Sequence, residues 1–99
     1  MSGANDVFTR AVLINVKSGC EVELTRTLER EVVPLFRKER DFRGLIAFIR
    51  PDGTEALSLS LWDQKESAGG IWARCPGALM ALARVVLGIP SVQIYEVSN

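Results

Sequence analysis

The stretch from Thr54 to Ala68, TEALSLSLWDQKESA, decides the fold. Leu57-Ser58-Leu59-Ser60-Leu61-Trp62 alternates with a period of two, the pattern of a strand with one leucine face and one serine–tryptophan face. The strand ends at Asp63, and Glu66 follows three residues later, the spacing at which an Asp and a Glu together cap the start of a helix. Beyond the cap the apolar residues change to helical spacing, with Ala68, Ile71, Trp72 and Cys75 at i, i+3, i+4 and i+7. A strand therefore turns directly into a helix, and a large aromatic stands at the corner beside small hydroxyl side chains. That corner predicts a pocket.

Upstream, Pro51-Asp52-Gly53 is a turn signal, because Pro presets φ and Gly accepts positive φ. It joins the serine–leucine strand antiparallel to a strand over Leu45–Arg50. A longer, β-branched strand covers Val7–Val16. Between them the spacing predicts a helix from Cys20 to Arg40 that buries Leu24, Leu28, Val32 and Leu35 and kinks at Pro34. The charged residues concentrate between Lys17 and Arg43, as suits the solvated face of that helix. Downstream, Pro76-Gly77 breaks the capped helix, a second helix covers Ala78–Leu87, and Gly88 and Pro90 stop it before a last strand over Val92–Val97. The order is β-α-β-β-α(α)-β, the α+β ferredoxin-like plan of an antiparallel four-stranded sheet with its helices on one face. A single domain spanning residues 1–99 is expected, with residues 1–6 disordered.

Composition narrows the function. Twelve basic residues balance twelve acidic ones, so there is no basic footprint for nucleic acid or an anionic membrane. The longest apolar stretch, Ala78 to Leu87, is interrupted by Arg84 and is far short of the ~20 residues that span a bilayer. With no basic start followed by an apolar core at the N-terminus, a cytoplasmic protein is expected, and Cys20 and Cys75 are read as reduced thiols. The chain has no histidine, which removes the commonest metal ligand and the usual general base together. No metal or other cofactor is expected.

The first two strands are apolar on both faces: Phe8, Val12, Ile14 and Val16 against Val7, Ala11 and Leu13, then Leu45 and Ile49 against Ile46 and Phe48. Helices cover only one face of such a sheet. About five apolar side chains left wet would forfeit roughly 1.5–3 kcal/mol each, too much beside a net stability of ~5–15 kcal/mol. A homodimer packed sheet against sheet is the simplest cover.

The chain resembles the antibiotic biosynthesis monooxygenase family of dimeric α+β barrels. The resemblance runs through Lys17-Ser18-Gly19, Val33-Pro34-Leu35-Phe36-Arg37 and Phe42-Arg43-Gly44, then Asp52-Gly53 and Leu61-Trp62-Asp63, and ends in Pro90-Ser91-Val92 with Tyr95-Glu96-Val97. Arg40-Asp41 stands where such proteins commonly carry Pro-Gly. The resemblance implies a cofactor-independent oxygenase that binds a flat phenol or quinol, favours its deprotonated form and shields it from water. It also implies a catalytic role for Trp62. The Asn and Tyr that accompany this tryptophan in the quinone-forming branch correspond here to Ser58 and Ala68, and the helical Arg of that branch falls near Leu82. The haem-degrading branch needs an axial histidine that this chain lacks.

The candidate residues each have a plainer reading too. Trp62 is either a pocket wall stacked on a planar substrate or a core aromatic closing the corner. Trp72, on the buried stripe of its helix, is either core or substrate-binding. Ser58 and Ser60 either offer hydroxyls to a substrate oxygen or are small residues at a seam. Gly69-Gly70 costs ~1 kcal/mol per glycine in a helix, so the pair loosens the helix or admits a close neighbour. The leading expectation is a monooxygenase acting on a small aromatic phenol or quinol. Its alternative is a non-catalytic ligand-binding or dimeric assembly module that keeps the fold.

Overall fold

The structure is a computed structural model that describes residues 7–98, so the expectation for residues 1–6 lies outside the described residues. Four strands, β1 (Phe8–Val16), β2 (Phe42–Ile49), β3 (Glu55–Trp62) and β4 (Val86–Glu96), form one antiparallel sheet in the order β2-β3-β1-β4. β3 lies between β1 and β2, and β1 between β3 and β4, so each β-α-β unit is split by a strand of the other. The helices are α1 (Glu21–Thr27), a π-helical turn over Leu28–Val32, α2 (Val33–Phe36), α3 (Lys65–Arg74) and α4 (Pro76–Ala83). This is the ferredoxin-like α+β fold.

The alternation in β3 resolves in an unusual sense. Ala56, Ser58, Ser60 and Trp62 point inward and are buried against the helices, while Leu57, Leu59 and Leu61 point to the outer face and are only half-buried. β1 has the same parity: Arg10, Val12, Ile14 and Val16 are buried. Above them pack Leu24, Leu28, Val32 and Phe36 from the first helical stretch and Ala68, Ile71, Ala78 and Leu82 from the last two helices. Among the described residues the outer face of the sheet carries no helix, and Leu13, Ile46 and Phe48 are 41%, 51% and 53% exposed on it.

Three local expectations are corrected. The helix predicted to Arg40 stops at Phe36 and is α-helical only in two pieces. Directly ahead of Pro34, whose ring would crowd the Arg30 carbonyl in an unbroken α-helix, the chain widens into the π turn, and the Val33 N–H bonds back to the Leu28 carbonyl. That extra residue rotates the buried stripe by one position. Phe36 is buried in place of the expected Leu35, which is only half-buried.

The capping box at Asp63 does not form. The N-cap position falls one residue later, at Gln64, with no side-chain cap, and the Asp63 carboxylate accepts from Arg43 Nε instead. Finally, the helix expected to reach Leu87 ends at Ala83, and β4 starts at Val86 and runs straight through the supposed breakers. Leu13 pairs with Ser91 but Asn15 with Leu87, so a bulge absorbs Gly88, Ile89 and Pro90 opposite one residue of β1. Gly88 takes a φ of +68° there. Pro90 is tolerated because β4 is an edge strand. By contrast, Gly69-Gly70 does not break α3: a Cβ at Gly69 would meet open space, whereas one at Gly70 would come within 2.9 Å of Arg74 Nη1, so Gly70 admits the Arg74 guanidinium.

Among the described residues, no helix is long and apolar enough to cross a membrane.

Candidate functional site

The bulge in β4 and the short α4 both supply walls to one opening. Between them lies a cleft of about 410 Å³, walled by Trp72, Leu79, Leu82, Val86, Ile89 and Val92 among others, almost wholly apolar. Ile89, at the bulge, is 94% exposed and stands at the rim. Behind the cleft, deeper under the helices, is a recess of about 20 Å³. The two cavities share four wall residues, Val12, Ile14, Trp72 and Leu82. Polar groups enter only in the recess, as Arg10, Ser58 and Ser60.

Of the residues singled out from sequence, Ser58, Ser60 and Trp72 are brought together at the recess, with Trp72 lining both cavities. Trp62 is not among the wall residues of either. It is wholly buried, its ring 5.6 Å from Phe36 and 5.1 Å from Phe42, and its indole N–H donates to Ser60 Oγ at 2.9 Å. In this geometry Trp62 packs the corner, and its indole N–H holds the Ser60 hydroxyl.

Arg10 is the residue that sequence reading passed over. The apolar parity of Phe8, Val12, Ile14 and Val16 puts it on the buried face, and a charge in that register was the available signal. Its guanidinium carbon lies 5.1 Å from the Trp72 ring centroid, a cation–π arrangement, and Nη1 donates to the Ala68 carbonyl at 3.3 Å. Nε is buried with no acceptor. Burial lowers the pKa of Arg10 to about 10, so the side chain is still cationic at neutral pH. Cys75, at the α3–α4 junction, is also buried. Its thiol is pushed up by burial and, secondarily, by the nearby Glu39. Among the described residues no three His, Cys, Asp or Glu side chains gather as a metal site.

This arrangement can take a flat apolar body in the cleft and one polar atom in the recess. It offers shape, exclusion of water and a fixed positive charge, and among the described residues no carboxylate or imidazole lines either cavity.

No family model and no curated protein matches the sequence. Solved structures do match over nearly the whole chain. A protein assigned to the antibiotic biosynthesis monooxygenases from Bordetella bronchiseptica superposes with a TM-score of 0.82 at 13% identity, covering 96% of this chain and 100% of its own. The monooxygenase from the gene ActVA-Orf6 of Streptomyces coelicolor, solved with the ligand nanaomycin D, gives 0.77 at 17% identity, covering 93% and 88%. SnoaB, a cofactor-independent oxygenase from Streptomyces nogalater, gives 0.76 at 15% identity, covering 95% of each. The chain has the fold of the antibiotic biosynthesis monooxygenases.

Proposed function

We propose that the protein is a monooxygenase that uses no cofactor and inserts one atom of O2 into a small, flat phenol or quinol bound in the cleft. The observation that carries this reading is the pair of adjoining cavities, an apolar slot and a recess with Arg10, Ser58 and Ser60, which share Val12, Ile14, Trp72 and Leu82 as walls. An ionised phenol has the electrons for the reaction. Counted from the keto tautomer of that phenol, a ring CH2 becomes a carbonyl, O2 supplies the carbonyl oxygen, and its second atom leaves as water with the two hydrogens. The protein's part is to bind the ring, keep water away from the carbanion and favour the charged form of the substrate. What fold-sharing proteins of known activity do supports this choice of reaction: SnoaB is a cofactor-independent oxygenase.

The protein works as a homodimer closed sheet against sheet. Supporting this is the direction of the leucine face in β3: Leu57, Leu59 and Leu61, with Leu13, Ile46 and Phe48, form an apolar surface on the side of the sheet that no helix covers. A second copy offers the same surface in return, as a two-fold interface requires.

A second reading, a non-catalytic binding module of the same fold, is favoured by the absence of any carboxylate or imidazole in the recess to take the substrate's proton. Oxygen uptake separates the two. With 1,8-dihydroxyanthrone as substrate, a monooxygenase consumes O2 faster than spontaneous oxidation does, whereas a binding module slows or does not change it.

A further inference from the structure

A guanidinium in the interior is costly unless a negative charge or a full set of acceptors meets it. Arg10 has neither. It is 5% exposed, it belongs to none of the ion pairs among the described residues, and its Nε–H is buried without an acceptor. Its one hydrogen bond, to the Ala68 carbonyl, is long. Groups left in this state in a native protein call for an explanation, and a missing ligand is one of the few available.

The surroundings say which ligand. The recess that Arg10 lines, about 20 Å³, holds one water-sized atom and not two. A single oxygen matches that room more closely than the two oxygens of a carboxylate or the four of a phosphate. Ser60 Oγ already accepts from Trp62 Nε1, so its own hydroxyl proton is left to donate elsewhere. Ser58 lines the same recess. Trp72 forms the shared wall, with the guanidinium on its ring and the apolar cleft beyond.

We infer that the recess is an oxyanion pocket, in which Arg10 is the counter-charge for the single ionised oxygen of a flat phenol or enol whose ring lies in the cleft against Trp72. This rests on the reading of the cleft as a substrate site and adds the ionisation state of the substrate and the residue that sets it. The selected substrate is a hydroxylated aromatic already acidic enough to ionise near neutral pH with Arg10's help. Neutral ethers and aromatic carboxylic acids of the same size are disfavoured.

The test compares 2-hydroxy-1,4-naphthoquinone, its methyl ether and 2-naphthoate as probes on the wild-type protein and on Arg10→Met. Wild type is expected to bind the enolate about tenfold more tightly than the ether and to lower the enol's apparent pKa by about one unit, read from its visible absorbance. In Arg10→Met the preference and the pKa change disappear while ether affinity stays; Arg10→Lys recovers part of both. Equal affinities in wild type, a preference that survives in Arg10→Met, naphthoate bound more tightly than the enolate, or no binding of any probe would each overturn the inference. Should Arg10→Met not fold, the probe pKa on the wild type decides alone. Anion preference without oxygen uptake counts against the oxygenase reading only, and oxygen uptake without anion preference counts against this inference only.

Discussion

The indole N–H of Trp62 donates to Ser60 Oγ at 2.9 Å inside the core, two residues apart on the same face of β3. This bond shows that the serine–tryptophan face is the inner one. It makes the tryptophan a support for the recess, and it leaves the leucines of β3 on the outer face.

Trp62→Phe removes that donor and leaves space among Phe36 and Phe42. A loss of roughly 1.5–3 kcal/mol is expected from the lost bond and the unfilled volume. For a domain of this size, that lowers Tm by roughly 6–24 °C. The affinity for 2-hydroxy-1,4-naphthoquinone should change less than threefold. A melting temperature equal to wild type would show that Trp62 is not a core residue.

Trp72 is half-buried and lines both cavities, so it should act in the opposite way. Trp72→Ala is expected to weaken the same probe at least tenfold, about 1.4 kcal/mol. Acrylamide quenching distinguishes the two indoles: the single tryptophan of Trp62→Phe is quenched, and that of Trp72→Ala is protected. Equal quenching in the two proteins would contradict the burial assigned to each.

Cys75 is raised by burial first and by Glu39 second. A thiol with a raised folded pKa contributes its stability fully below the ordinary thiol value near pH 9, and that contribution is lost as pH climbs through the raised value. Iodoacetamide should therefore label Cys75 much more slowly in the folded protein at pH 8 than after unfolding in guanidinium. Mass spectrometry of a timed reaction reads both rates, and fast labelling of the native thiol would contradict its burial.

Ile46 and Phe48 lie on the outer face, half-exposed in one chain. If two copies meet there, Ile46→Asp together with Phe48→Lys places charges in the seam and should convert a dimer to a 10.9 kDa monomer on light scattering behind size exclusion. Wild-type protein that already elutes as a monomer would refute the sheet-to-sheet dimer.

Much of the fold was legible because it is written in local pattern. The period-two run of β3, the Pro51-Asp52-Gly53 turn and the helical spacing from Ala68 to Cys75 each act within a few residues, and together they define the strand and helix order. What the sequence hid depends on distant partners. Asp63 has a cap motif, yet Arg43 takes its carboxylate from across the loop. Gly88 and Pro90 read as the stop of a helix ahead of the last strand, but a bulge on an edge strand accommodates both within β4. The walls of the candidate recess were half visible. Ser58, Ser60 and Trp72 follow from periodicity, whereas Arg10 is a charge in a buried register whose meaning depends on α3 and β3 folding over it.

Oxygen consumption with 1,8-dihydroxyanthrone, by chelator-treated protein in an oxygen electrode, tests the account most directly. The expected result is one O2 consumed per anthrone converted to the quinone, well above the spontaneous rate and falling at least tenfold in Trp72→Ala. A protein saturated with the bound phenol that consumes oxygen no faster than buffer alone would contradict it, and would leave a binding module in its place.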